Sequence, residues 1–196
     1  MQGIHAQWFK TMLNDKALVA RLKKITLIIT DVDGSLTDGT LHYDSNGEAD
    51  RTYSCQDGYA MRVAIDQGLH VAFLSGNAGA SITSRTKKLS IPDHFVILGS
   101  RDKCISVKQL QAAANATSEQ TLVFGDDHLD AVVKEADAAI FFAMPNNSVF
   151  YLKHIADCVV PLNAGSESPL RLLLDLLLYV QGKHIAQHLI TQALER

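Results

Sequence analysis

The chain has 196 residues, 47% of them hydrophobic and 20% charged, with a formal net charge of −3 at pH 7. That length is enough for one well-buried domain, and so small a negative charge gives no drive toward nucleic acid or anionic membranes. The three cysteines, Cys55, Cys104 and Cys158, lie far apart with no CxxC pair, which speaks against a disulfide framework or a zinc knuckle and fits reduced thiols in a cytoplasmic protein.

The opening stretch, MQGIHAQWFKTMLND, has no basic region ahead of an apolar core and does not read as a signal peptide. Residues 5–22 place Trp8, Leu13, Leu18 and Leu22 at roughly helical intervals. Residues 25–30, ITLIIT, form a continuous apolar run suited to a parallel strand covered on both faces. Within 40–53, Asn46-Gly47 separates two short strand-like pieces and predicts an inserted β-hairpin. A helix follows over 57–68, stopped by Gly68. Next come a strand at 69–75, a helix over about 79–89, a short strand at 94–99 and a helix over 102–115. The pattern continues with a strand at 121–125, a helix at 127–136, a strand at 138–144, a helix at 147–156 and a strand at 157–162, before helix over 167–194. RTKK, at 85–88, reads as a solvated helix face. PLRLLLDLLLYV, at 169–180, is interrupted by Arg171 and Asp175, is too short to span a bilayer, and reads as a packed or interface helix.

Alternating strands and helices imply an α/β fold, a parallel sheet with right-handed crossovers, as a single domain over 1–196 carrying the hairpin. In such sheets the ligand crevice lies beyond the carboxyl ends of the strands. There the sequence places Asp31 and Asp33, then Ser75-Gly76-Asn77, then Asp126, Asp127 and Asp130. Five acids near one point repel one another, and a divalent cation resolves the repulsion; an oxygen-only set with no Cys or His pair favours Mg²⁺. His128, inside GDDHLD, reads as a helix-surface residue.

The segments DVDGSLTDG, LSGN, SRDK and GDDHLD, in that order and spacing, resemble the four motifs of the haloacid dehalogenase superfamily of phosphohydrolases. NGEADRTYSCQDGYAM and LRLLLDLLLYVQGK further resemble the 3-deoxy-D-manno-octulosonate 8-phosphate (KDO 8-phosphate) phosphatase family, and the likeness covers about residues 20–184. It implies a Rossmann-like, capless phosphatase fold, since only the hairpin and one helix separate the first two motifs. It implies Asp31 as the nucleophile that forms an aspartyl-phosphate, and Asp33 as the acid and then the base. Ser75, with the backbone N–H of Gly76, would bond the phosphoryl group, and Lys103 would neutralise it. Mg²⁺ would be held by the Asp31 side chain, the Asp33 carbonyl and Asp126, with Asp127 supporting the metal's waters and Asp130 either joining them or bracing the loop. Gln56, Asp57, Gly76 and Asn77 would face the substrate, a small sugar phosphate used in lipopolysaccharide precursor synthesis. The family forms homotetramers, and its C-terminal region reaches toward a neighbouring active site.

The chain departs from the family pattern at specificity positions. Gln56 and Asn77 stand where the family carries arginines, NAGSESPLR keeps Arg171 without the usual glycine run, and DAVV replaces a Pro-containing continuation of the last motif. Three readings follow: a KDO 8-phosphate phosphatase with a divergent pocket, a phosphatase of the same fold for another sugar phosphate, and a non-catalytic binding or assembly protein that kept the fold. Arg51, Arg62 and Arg85 are the candidates to replace the missing cations.

Overall fold

The computed structural model describes residues 3–47, 49–135 and 141–195. Helices α1 (Ile4–Asn14) and α2 (Lys16–Leu22) open the chain. They divide at Asp15, whose carboxylate accepts the Leu18 N–H at 2.9 Å and so caps α2. The apolar periodicity of 5–22 continues across this break, which is why it reads as one helix. Strand β1 (Leu27–Thr30) is fully buried, as its continuous apolar sequence predicts. The hairpin is present as β2 (His42–Tyr43) paired antiparallel with β3 (Ala49–Asp50), a two-stranded sheet of its own.

The remaining elements alternate as expected: α3 (Cys55–Asp66), β4 (His70–Leu74), α4 (Ala80–Lys88), β5 (Val96–Ile97), α5 (Lys103–Ala114), β6 (Thr121–Phe124), α6 (His128–Glu135), β7 (Phe141–Pro145), β8 (Cys158–Val160), α7 (Pro169–Val180) and α8 (Gln187–Glu195). Two expectations need correcting. The segment expected as a helix at 147–156 holds only a short 3₁₀ turn, Phe150–His154. The closing helix is two, because the chain takes a left-handed turn at Gly182 (φ 69°). Part of the strand expected at 138–144 lies outside the described residues. RTKK is only half solvated: Thr86 is buried, and Arg85 lies over the Tyr53 ring at 5.2 Å and donates to the Ser54 carbonyl at 2.7 Å.

Six strands form one parallel sheet in the order β5-β4-β1-β6-β7-β8. The chain builds outward from β1 on one side, then returns to build on the other. The sheet order therefore reverses at β1, where a doubly wound sheet opens a crevice. Register sets the level of the site: Thr30 pairs with Phe73 and with Phe124, so the residues after these three strands emerge side by side.

Helix α7 packs on α3, and Leu170, Leu173, Leu174, Leu176, Leu177 and Leu178 are all buried; each contributes about 1.5–3 kcal/mol by burial. The N-terminus of α7 has no side-chain cap of its own. Asp57, from the first turn of α3, supplies one by accepting the Arg171 N–H at 2.7 Å, and Ser54 and Ser168 share a 2.6 Å hydrogen bond beside it.

The other Asp57 oxygen is buried without a hydrogen-bond partner. Burial raises its carboxyl to about 7, although the Arg171 N–H and the Arg85 charge pull the other way. An acid protonated in the folded chain but ionised above about pH 4 when unfolded stabilises below about pH 4 and loses that contribution as pH rises toward 7. In denaturant titrations from pH 4 to 8, wild type should therefore lose stability relative to Asp57→Asn up to about pH 7 and hold level above it; a pH-independent difference would contradict this.

Candidate active site

Asp31 follows β1 directly, and its N–H continues the ladder to the Phe124 carbonyl at 2.9 Å. It is 7% exposed, at the base of a pocket of about 210 Å³ lined by Asp33, Ser75, Gly76, Asn77, Lys103, Asp126, Asp127, Leu129 and Asp130. Lys103 opens α5 and reaches Asp31 Oδ1 with its ammonium at 2.8 Å, with Asp130 Oδ1 on its other side. Burial would depress the lysine, but Asp130 and Asp31 outweigh it and hold it up as a cation.

Carboxylate oxygens of Asp31, Asp126 and Asp130 lie within 4.8 Å of one another. At that spacing and an effective dielectric of about 20, each pair of full charges repels by about 3 kcal/mol, more than one hydrogen bond returns. Burial first, then Asp130, raise Asp126 to about 7 against the opposing bond from Ser35. Burial and Asp130 likewise push Asp31 well up, opposed by Lys103. Three carboxylates facing one ammonium leave two negative charges uncompensated, and the donors are all oxygen. The set fits a divalent hard cation such as Mg²⁺.

The three acids are held differently. Asp126 accepts from Ser35 Oγ at 2.9 Å, leaving its second oxygen turned to the turn at Gly34. Asp130 is fully engaged: Oδ1 takes Lys103 and Oδ2 takes the N–H groups of Asp126 (3.2 Å) and Asp127 (3.3 Å). Asp130 thus braces the loop that presents Asp126. Asp127 is exposed at the rim, and its Oδ1 accepts from the backbone N–H of His128 at 2.6 Å and meets its ring at 2.8 Å. Those His128 contacts hold the Asp127 carboxyl below its usual range, against its partial burial.

Asp33 lies across the pocket. Both its oxygens meet the Arg51 guanidinium, at 2.6 and 3.0 Å, and Oδ2 also accepts Asn77 Nδ2 at 2.8 Å. Ser75 Oγ accepts the Asn77 N–H at 3.1 Å, so its hydroxyl hydrogen is available to an incoming oxygen. The structure thus gathers Asp31, Asp33, Ser75, Gly76, Asn77, Lys103, Asp126 and Asp127 around one pocket.

It does not bring Gln56 and Asp57 there. The start of α3 is turned against the start of α7, which buries Asp57 in that contact. Gln56 lines a separate, larger cleft of about 450 Å³ with Asp38, Tyr53, Ser166 and Ser168. Arg62 and Arg85 are bonded to the Leu89 and Ser54 carbonyls, away from the acids. Arg51 and Ser35 touch the site, and sequence reasoning left the first unplaced and missed the second.

A parallel α/β sheet with a buried aspartate at a strand end, a lysine and an acidic loop is the arrangement of a phosphohydrolase of the haloacid dehalogenase type. No protein-family model matches the chain. The 3-deoxy-D-manno-octulosonate 8-phosphate phosphatase KdsC of Haemophilus influenzae is 36% identical over 163 residues, 83% of this chain and 88% of the relative. The cobalt-bound structure of the deoxy-D-mannose-octulosonate 8-phosphate phosphatase from the same organism superposes with a TM-score of 0.80 at 32% identity, covering 88% of this chain and 99% of that one. The Moraxella catarrhalis 3-deoxy-D-manno-octulosonate 8-phosphate phosphatase, solved with magnesium, phosphate and KDO, gives 0.81 at 25% identity over 91% and 99%. The chain belongs to the KDO 8-phosphate phosphatase family, and it is a phosphatase.

Gly34 has φ +89°, and a Cβ there would run into the Asp126 carboxylate. Gly34→Ala should cost roughly 1 kcal/mol or more in stability and weaken Mg²⁺ binding about 10-fold or more by displacing Asp126, read by thermal melting and calorimetric titration. Unchanged metal affinity would remove Asp126 from the metal's ligands.

Proposed function

We propose that the protein is a Mg²⁺-dependent phosphomonoester hydrolase acting on KDO 8-phosphate through an aspartyl-phosphate at Asp31. The observation that carries this reading is the Asp31 carboxylate, buried at the end of β1 and held by Lys103, in a pocket that Asp33 and Ser75 share. An Asp31 oxygen bonds to phosphorus as the ester P–O bond breaks, and Asp33 gives its proton to the departing alkoxide. Water then attacks the phosphorus, yields its proton to Asp33, and the bond to Asp31 breaks, releasing phosphate. Ser75 donates to a phosphoryl oxygen, with the Gly76 N–H beside it, and the Lys103 ammonium lies against the charge that develops. Asp31, Asp126 and the Asp33 carbonyl would hold Mg²⁺, which neutralises phosphoryl charge when bound, and Asp127 at the rim would order its waters.

The pocket of about 210 Å³ is smaller than the roughly 300–1,000 Å³ usual for small-molecule sites. It accommodates the phosphoryl end and leaves the sugar acid outside. In this reading the part left outside is covered by a neighbouring subunit of a homotetramer. Free Cys55, Cys104 and Cys158 support a reducing, cytoplasmic setting, and no helix among the described residues is long and apolar enough to cross a membrane.

Hydrolysis of a sugar-phosphate panel with and without Mg²⁺ tests the chemistry. EDTA should abolish turnover, and Asp31→Asn should lower kcat on the order of 10³-fold or more; activity surviving that change would sink the nucleophile. Faster turnover of a neutral sugar phosphate than of KDO 8-phosphate would transfer the substrate assignment, a result that Asn77 and Gln56 make specific to this chain. Light scattering at micromolar concentration should give four chain masses, and a monomer would contradict the assembly.

A further inference from the structure

Arg51 comes from the inserted hairpin, one residue beyond β3, yet its side chain is only 1% exposed. Its Nε meets Asp33 Oδ1 at 2.6 Å, Nη2 meets Oδ2 at 3.0 Å, and Nη1 donates to the Ala49 carbonyl at 3.1 Å. A planar fork of this kind fixes both the position and the plane of a carboxylate. Asn77, from the loop after β4, adds a third donor on Oδ2 at 2.8 Å. A carboxylate has about four acceptor positions. Three donors, two of them on Oδ2, leave one open position, and it is on Oδ1. The guanidinium is buried and committed on three of its nitrogens, so it is not placed to grip a substrate carboxylate in place of the family's arginines.

We propose that Arg51 is a positioning residue for Asp33: the hairpin carries it across the site to lock the carboxyl group so that the one position left on Oδ1, which carries the proton in the acid form and is empty in the base form, faces the ester oxygen. This rests on Asp33 being the acid and base of the reaction, as read above. In the first step the Oδ1 proton passes to the bridging oxygen as its bond to phosphorus breaks; in the second the same Oδ1 takes the proton of the attacking water. The hairpin is then part of the catalytic apparatus through one side chain, although none of its described residues lines the pocket.

The leaving group reports on this role. An alkyl ester such as KDO 8-phosphate expels a basic alkoxide that needs a proton, whereas p-nitrophenyl phosphate expels a weakly basic phenolate that does not. For Arg51→Ala, kcat/KM on KDO 8-phosphate should fall about 10–100-fold with KM within about threefold, while kcat/KM on p-nitrophenyl phosphate, whose leaving group needs no proton, falls less than about threefold. Arg51→Lys, which keeps the charge without the fork and is the arm to read if the alanine variant does not fold, should recover part of the alkyl-ester rate. Asn77→Ala should show the same leaving-group bias at smaller size. Equal losses on both esters would reduce Arg51 to a structural role. A change confined to KM for KDO 8-phosphate would make it a substrate contact. Either result, or unchanged kinetics, overturns the inference. Wild type that hydrolyses neither ester, or Asp31→Asn that hydrolyses both, would instead overturn the reading of the site itself, and those controls need no Arg51 variant.

Discussion

Three acids, Asp31 and Asp130 buried and Asp126 half-buried, meet one lysine at the end of β1, and the surrounding structure follows from that imbalance. One ammonium does not neutralise three acids, and the carboxyls of Asp31 and Asp126 are driven up by burial and by Asp130. A core composed only for stability would not keep such a group, since unpaired buried charge is costly. The surroundings limit the cost without removing it. Lys103 bridges Asp31 and Asp130, Ser35 holds one oxygen of Asp126, and the loop amides hold Asp130. What is left over is a site tuned to a divalent cation and a phosphate, whose charges complete it.

The acids reach this point through backbone, not through long flexible side chains. Asp31 continues the β1 ladder, and Gly125 donates to the Ala143 carbonyl at 3.1 Å before the chain turns to Asp126. Glycine at 34 and at 125 is demanded by the crowding itself, for a Cβ at either would strike the carboxyl of Asp126 or Asp130. Asp130 and Asp126 thus occupy space that only a bare backbone leaves open.

Much of this was legible in the sequence, for physical reasons. ITLIIT suited a strand covered on both faces, and acids immediately after such a strand emerge at its carboxyl edge. Asn46-Gly47 announced the hairpin because glycine readily takes the left-handed backbone of its turn, φ 80° at Gly47. Features set by distant partners were not legible. That Lys103 lies between Asp31 and Asp130, and that Asp130 braces instead of standing free, depends on α5 and α6 meeting beside the sheet. The fork between Arg51 and Asp33 depends on how an eighteen-residue excursion folds back, which no local pattern encodes. The placing of Asp57 under α7 is of the same kind: Asp57 read as substrate-facing, but the packing of α3 on α7 turned it inward. The break at Asp15 was hidden because the apolar spacing runs through it.

The register of the central strands has a practical meaning. Thr30, Phe73 and Phe124 stand level across three strands, and the groups that follow them line the acidic pocket. A slip of one residue in any of these pairings would turn core side chains toward the wrong layer at the same moment that it separated Asp31 from Ser75 or Asp126. There is no cheap way to lose the geometry and retain the globule. The specific activity of a purified sample is therefore a count of correctly folded molecules, and the enzyme reports on its own integrity.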